Sequence, residues 1–254
     1  MKAFFKTYFL PSLLSILPFF VVADGHKPKM SALEVISFTL NDKKDIADVI
    51  EFSSEVDAFA SEEVDTGYMA WIVIPDAVNL DDYPMDYFWL GVADDYKSLG
   101  KGRDTWFEKS GKLQEKMAKI SSLEGRRLFS SMDVKPITDS GPGNALLTVW
   151  SCQFQEGMGF AELAVADQTM MAYMDKVEMP GGMYRWFSGA GAPSSEKTDF
   201  RNVLVNETDE SRGSAVDMML AGGLKVAQES YGKVIDCDAP RVWRAIHVVG
   251  KSSI

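Results

Sequence analysis

Tyr87-Phe88-Trp89-Leu90-Gly91-Val92-Ala93-Asp94 decides the fold, because Phe200-Arg201-Asn202-Val203-Leu204-Val205-Asn206-Glu207 repeats it at an offset of 113 residues. The same offset carries Gly100 onto Gly213, Asp104 onto Asp217 and Lys112 onto Lys225; two added residues then bring Arg126 onto Arg241 and Val134 onto Val249. Upstream the register continues, pairing Ala32 with Ala145, Ala47 with Ala161, Gly67 with Gly182 and Trp71 with Trp186, and drifts only from 113 to 115. A register held this long marks an internal duplication of a unit of about 105 residues.

Within the first unit, Leu33 to Leu40 is β-branched and aromatic and reads as a strand. Asn41-Asp42 offers a cap for a helix carrying Ile46, Val49, Ile50 and Val56. Strands follow at Tyr68 to Ile74 and Tyr87 to Val92. A helix from about Asp104 to Ile120 has one apolar face, Trp106, Leu113, Met117 and Ile120, and a last strand runs from Arg126 to Val134. Strand, helix, strand, strand, helix, strand is the ferredoxin-like order. The second unit repeats it, with an apolar helix face expected at Met219, Leu220, Ala227, Tyr231 and Val234. Expected boundaries are a signal peptide at 1–23, a leader at 24–31, repeats at 32–135 and 144–250, and a turn-rich linker at 136–143.

Several strands are apolar on both faces, such as Trp71-Ile72-Val73-Ile74 and Leu146-Leu147-Thr148-Val149-Trp150. An antiparallel sheet with helices on one side leaves its other side to water unless a second layer covers it. The economical solution is an α+β pseudo-dimer in which the two ferredoxin-like sheets face each other and the helices lie outside. On element order, duplication and two-sided strands, the chain resembles the dimeric α/β-barrel superfamily over roughly residues 31 to 250, and within it the NIPSNAP-like and stress-responsive barrels. Relatives of that kind include cofactor-free oxygenases, isomerases, cyclases and haem-handling enzymes. The resemblance therefore implies a fold and a pocket between sheets, and leaves enzymatic activity open.

Met1 to Ala23 has Lys2 and Lys6, an apolar run broken by Pro11 and Pro18, and a small residue at its end. That is the pattern of a signal peptide cut before Asp24, with an uncleaved anchor as the rival reading. It places the protein in a secreted or periplasmic setting without stable membrane insertion after cleavage. The remaining 24 basic and 37 acidic residues carry a net charge of −13. Such a surface repels nucleic acid. In an oxidising compartment Cys152, at the end of one strand, and Cys237, before its antiparallel neighbour, are expected to form a disulfide.

Candidate ligand-binding residues gather in the second repeat: Arg185, Trp186, Arg201, Asn202 and Arg244, with His247 as the candidate general base. Each also has a structural reading, the arginines as strand-end residues reaching water and His247 as a satisfied core residue. Arg126 and Arg241 read as partners of carboxylates such as Glu124 and Asp238. No zinc pattern, nucleophile elbow or phosphate-binding loop is present, so no metal is indicated. The cofactor is unknown, haem staying open through His247 alone. Three functions compete: a small-molecule binder, a cofactor-independent oxygenase, isomerase or cyclase, and a scaffold whose barrel is filled by its own side chains. A single chain suffices for the barrel in all three.

Overall fold

The computed structural model describes residues 29–64, 67–137 and 143–250. The expected signal peptide, the leader through residue 28 and residues 138–142 of the expected linker lie outside the described residues. The first half comprises β1 (Met30–Leu40), α1 (Ile46–Glu63), β2 (Met69–Ala77), β3 (Tyr87–Ala93), α2 (Tyr96–Lys109), α3 (Gly111–Ile120) and β4 (Ser121–Lys135). The second comprises β5 (Ala145–Phe154), α4 (Phe160–Lys176), β6 (Gly182–Ser188), β7 (Phe200–Asn206), α5 (Asp209–Met218), a π-helical turn (Met219–Gly223), α6 (Leu224–Tyr231), β8 (Ile235–Cys237) and β9 (Arg241–Val249).

The strand order is β7-β6-β4-β1-β3-β2-β9-β5, and β5 pairs back onto β7, so eight antiparallel strands close into a barrel. Each half contributes four strands in ferredoxin-like order, β4-β1-β3-β2 and β9-β5-β7-β6. The halves do more than face each other. They are hydrogen-bonded along two seams, β2–β9 and β4–β6, which leaves no open edge on the outer strands of either half.

Two-sided strands follow from this closure. Side chains alternate, and one set fills the barrel around Leu33, Leu90, Phe129, Leu147, Val203 and Trp243. The other set packs outward against helices: Phe38, Ile72 and Trp89 meet Val49, Phe52 and Val56 of α1, with Trp106, Leu113, Met117 and Ile120 packed against the same cluster. Cys152 and Phe200 meet Leu163 and Ala166 of α4. The apolar helix face expected from sequence in the first half is thus the one the sheet covers.

The paired registers define which residues are equivalent between the halves. Leu33 lies opposite Phe129 as Leu147 lies opposite Trp243, and Val35 opposite Arg127 as Val149 opposite Arg241. Trp71 lies opposite Leu90 as Tyr184 lies opposite Val203; Val73 opposite Phe88 as Trp186 opposite Arg201. Several matches made on sequence therefore shift, two of them at candidate site residues. The counterpart of Trp186 is Val73 rather than Trp71, and that of Arg241 is Arg127 rather than Arg126. The Trp71 match is off by two residues, which keeps the face and moves the side chain along the strand, whereas the Arg126 match is off by one, which puts the side chain on the wrong face.

Other expectations change for local reasons. The single helix expected from Asp104 to Ile120 is two, because Ser110 ends α2 with its hydroxyl donating to the Trp106 carbonyl and α3 restarts at Gly111. Asp95 is the N-cap of α2 and accepts from the Ser98 amide at 2.7 Å. In the second half the π-helical turn rotates the apolar face: Met219, Ala227 and Tyr231 pack inward, whereas Leu220 is 67% exposed. Cys152 and Cys237 lie directly opposite each other in the β5–β8 pairing and are disulfide-bonded.

Candidate functional site

Side chains pack the barrel interior, and a cavity opens at one end. There the C-terminal ends of β1, β5 and β6 and the starts of β3, β4, β7 and β9 converge, and the β2–β3 loop folds over through Tyr83, Pro84 and Met85. They enclose a half-open cavity of about 320 Å³. Its apolar floor is Val35, Phe88, Phe129, Val149, Trp186 and Trp243, and its polar wall is Arg127, Arg201 and Arg241, with Asp82 on the exposed rim. A second, more polar cleft shares Ser37, Pro84, Met85 and Arg127 with it and extends over Glu124 and Gly191.

The floor is an aromatic assembly. Phe88 meets Trp243 edge to face at 5.0 Å, Tyr83 meets the same indole at 5.4 Å, and Phe129 lies 6.4 Å from Trp186. Guanidinium groups sit over two of these rings, Arg201 over Phe129 at 4.9 Å and Arg241 over Tyr83 at 5.5 Å. The arginines are held from outside the cavity wall. Glu196, in the β6–β7 loop, accepts from Arg127 at 2.8 Å and from Arg201 at 2.6 Å, and Ser188 accepts from Arg201 at 3.1 Å. Asp238 takes both terminal nitrogens of Arg241, at 2.7 and 2.9 Å, and its own backbone is tied to Ser151. Since Asp238 follows Cys237 directly, the disulfide fixes the carboxylate that fixes Arg241.

The residues anticipated from sequence divide between this site and other places. Trp186 and Arg201 line the cavity side by side on adjacent strands. Arg185 and Asn202 are also opposite each other, but one position out of phase, and so face the helix layer. Arg185 is fully buried there and makes a two-pronged ion pair with Asp167 of α4, to which Tyr231 also donates at 2.8 Å. Burial, reinforced by the charge of Asp167, pushes the Tyr231 hydroxyl far up, so it stays protonated as a donor. Arg244 is outside the barrel, bridging Asp209 at 3.1 Å and Asp76 at 3.0 Å; these bonds raise its pKa.

His247 is buried inside the barrel at the opposite end from the cavity, tilted against Trp71 at 5.0 Å, with its amide donating to Asn144 Oδ1. It does not line the cavity, and among the described residues no histidine does. The histidine through which haem stayed open therefore stands elsewhere. Arg126 pairs with Glu34, not Glu124, and this outer-face network continues through Tyr68, which donates to Glu34, and Trp89, which donates to Tyr68. Gly91 makes room for it: a Cβ there would stand 2.1 Å from the Tyr68 hydroxyl.

Sequence reasoning placed the site in the second repeat, whereas both halves build it. Arg127, Phe88, Phe129, Tyr83 and Glu196 are not among the residues anticipated from sequence. The signal for Arg127 was present in the Arg126-Arg127 pair, one of which must face inward on a strand.

No protein-family model matches the chain, and no curated protein sequence matches it. Solved structures do. A candidate monooxygenase from Lactobacillus acidophilus superposes with a TM-score of 0.54 at 10% identity, covering 87% of this chain and 95% of its own. A candidate monooxygenase from Fusobacterium nucleatum gives 0.52 at 12% identity, covering 86% and 93%. A candidate chlorite dismutase gives 0.50 at 11% identity, covering 87% and 96%. At such identities the likeness is one of fold: this chain is a closed eight-stranded dimeric α+β barrel made from a single polypeptide.

Proposed function

We propose that this protein binds a small organic molecule in the barrel mouth, an aromatic body on the Trp186, Trp243 and Phe88 floor with a polar or anionic group toward the arginines. The observation that carries the reading is the position of the opening. The interior is packed around Leu33, Leu90, Leu147 and Val203, and the cavity at the barrel mouth combines an aromatic floor with three guanidinium groups. At about 320 Å³ it is at the small end of ligand pockets. Solved neighbours described as candidate monooxygenases and a candidate chlorite dismutase support a small-molecule barrel. The NIPSNAP-like and stress-responsive types belong to the same proposal, on the shared feature of the barrel fold.

Binding is placed ahead of turnover. The oxygenase, isomerase or cyclase reading retains arginines able to hold an oxyanion, but the base assigned to it, His247, is at the other end of the barrel. Export to a secreted or periplasmic setting is part of the proposal and draws support from the disulfide between Cys152 and Cys237. The test is calorimetric titration with neutral and anionic two-ring aromatics on the parent protein and on Val149→Phe, which fills the cavity from β5. Binding by the parent and its loss in a folded Val149→Phe protein is the expected result. Binding unchanged by that substitution places the ligand elsewhere and refutes the reading.

A further inference from the structure

We infer that the mouth selects a singly charged anion, an aromatic monocarboxylate, with Arg127 and Arg201 as its anion-binding pair and Glu196 as the residue that sets the uncompensated charge at one. This deepens the binding reading above and rests on it. Arg127 and Arg241 are equivalent, and each has a carboxylate behind it, Glu196 at 2.8 Å and Asp238 at 2.7 Å. Arg201 has no such counterpart, because the equivalent position in the first half is Phe88. The third guanidinium shares Glu196, at 2.6 Å, instead of bringing a carboxylate of its own. Three positive charges therefore face two negative ones.

The other charged groups nearby do not close the balance inside the cavity. Asp82 and Glu124 are exposed on the rim, where solvent and salt screen them, and Arg126 is matched by Glu34 on the outer surface. Glu196 is itself well buried, its side chain 13% exposed, yet it does not line the cavity although both of its arginines do. It holds both from behind while both line the cavity. Arg201 is further fixed by Ser188 and by the Phe129 ring beneath it.

The second asymmetric position tells what should accompany the charge. Where the first half has Val73, the second has Trp186, directly opposite Arg201 on the neighbouring strand. Indole and guanidinium thus arrive together, a flat apolar surface beside a planar donor fork. A ring carrying a carboxylate presents the complementary surface in the same order.

The experiment is isothermal titration of the full chain with 2-naphthoate, its neutral isostere 2-naphthamide, and naphthalene-2,3-dicarboxylate. The parent is expected to bind the monoanion at least about tenfold more tightly than the amide, the scale of one charge-assisted hydrogen bond. Arg201→Gln should bring that ratio to within about twofold while leaving amide affinity in place; Arg127→Gln, at a more exposed position, should reduce it too. Glu196→Gln should turn the preference from the monoanion toward the dianion. Equal affinity for naphthoate and naphthamide, or a mono-to-dianion preference unmoved by Glu196→Gln, overturns the inference and leaves the cavity reading standing. Failure of all three probes to bind overturns the cavity reading itself.

Discussion

Asp167→Asn tests whether Arg185 is a structural residue of the outer layer. The substitution keeps the shape of the side chain and removes its charge, leaving a guanidinium that is fully buried and has lost its ion-pair partner. Removing one member of such a pair costs about 3–5 kcal/mol, because the remaining charge is stranded away from water. For a chain of this size that corresponds to a fall in Tm of roughly 6–20 °C. The pair is nevertheless not required by the fold. The equivalent of Arg185 in the first half is Ile72, also fully buried and packed under α1. Replacing both partners, Asp167→Leu with Arg185→Met, should therefore return stability to within about 1 kcal/mol of the parent or above it; with each single variant of that cycle costing about 3–5 kcal/mol, the coupling is at least about 5 kcal/mol. Urea unfolding followed by circular dichroism measures the parent, Asp167→Asn, Asp167→Leu, Arg185→Met and the double variant. A loss under about 1 kcal/mol for Asp167→Asn, or a double variant as unstable as the sum of the singles, refutes the assignment. Binding of 2-naphthoate should be unchanged in the double variant, since Arg185 faces away from the cavity.

Two further outcomes follow from the same structure. Replacing Cys152 and Cys237 together by Ala releases a link spanning 85 residues and should cost about 2–4 kcal/mol in urea unfolding; an unchanged midpoint shows that the bridge does not constrain the unfolded chain. At alkaline pH, burial raises the hydroxyl of Tyr87 to about 12 and holds those of Tyr68 and Tyr231 well above their usual range, whereas unfolded tyrosines ionise near 10. The unfolded state then binds fewer protons than the folded one, so stability is intact below about pH 10 and declines as pH rises toward 12; a urea midpoint that stays flat across that window contradicts the burial of these hydroxyls.

The sequence by itself determined the duplication, the βαββαβ order of each unit, the need for a second layer over two-sided strands, and the pairing of Cys152 with Cys237. These are legible because they depend on periodicity and on neighbours along the chain. Tertiary structure decided the phase and the partners. On a strand a shift of one residue exchanges inside for outside, so adjacent arginines part company: Arg127 enters the cavity while Arg126 joins Glu34, and Arg201 enters it while Arg185 goes to Asp167. Glu196 could not be found from sequence, since its two arginines are 69 and 5 residues away and meet it only when β4, β6 and β7 lie side by side. His247 reads as an inward polar residue from either end of its strand, and only barrel closure shows which end holds the space. A site built across a pseudo-twofold axis is assembled from both copies, and a linear comparison of the copies shows where they differ without showing that they share it.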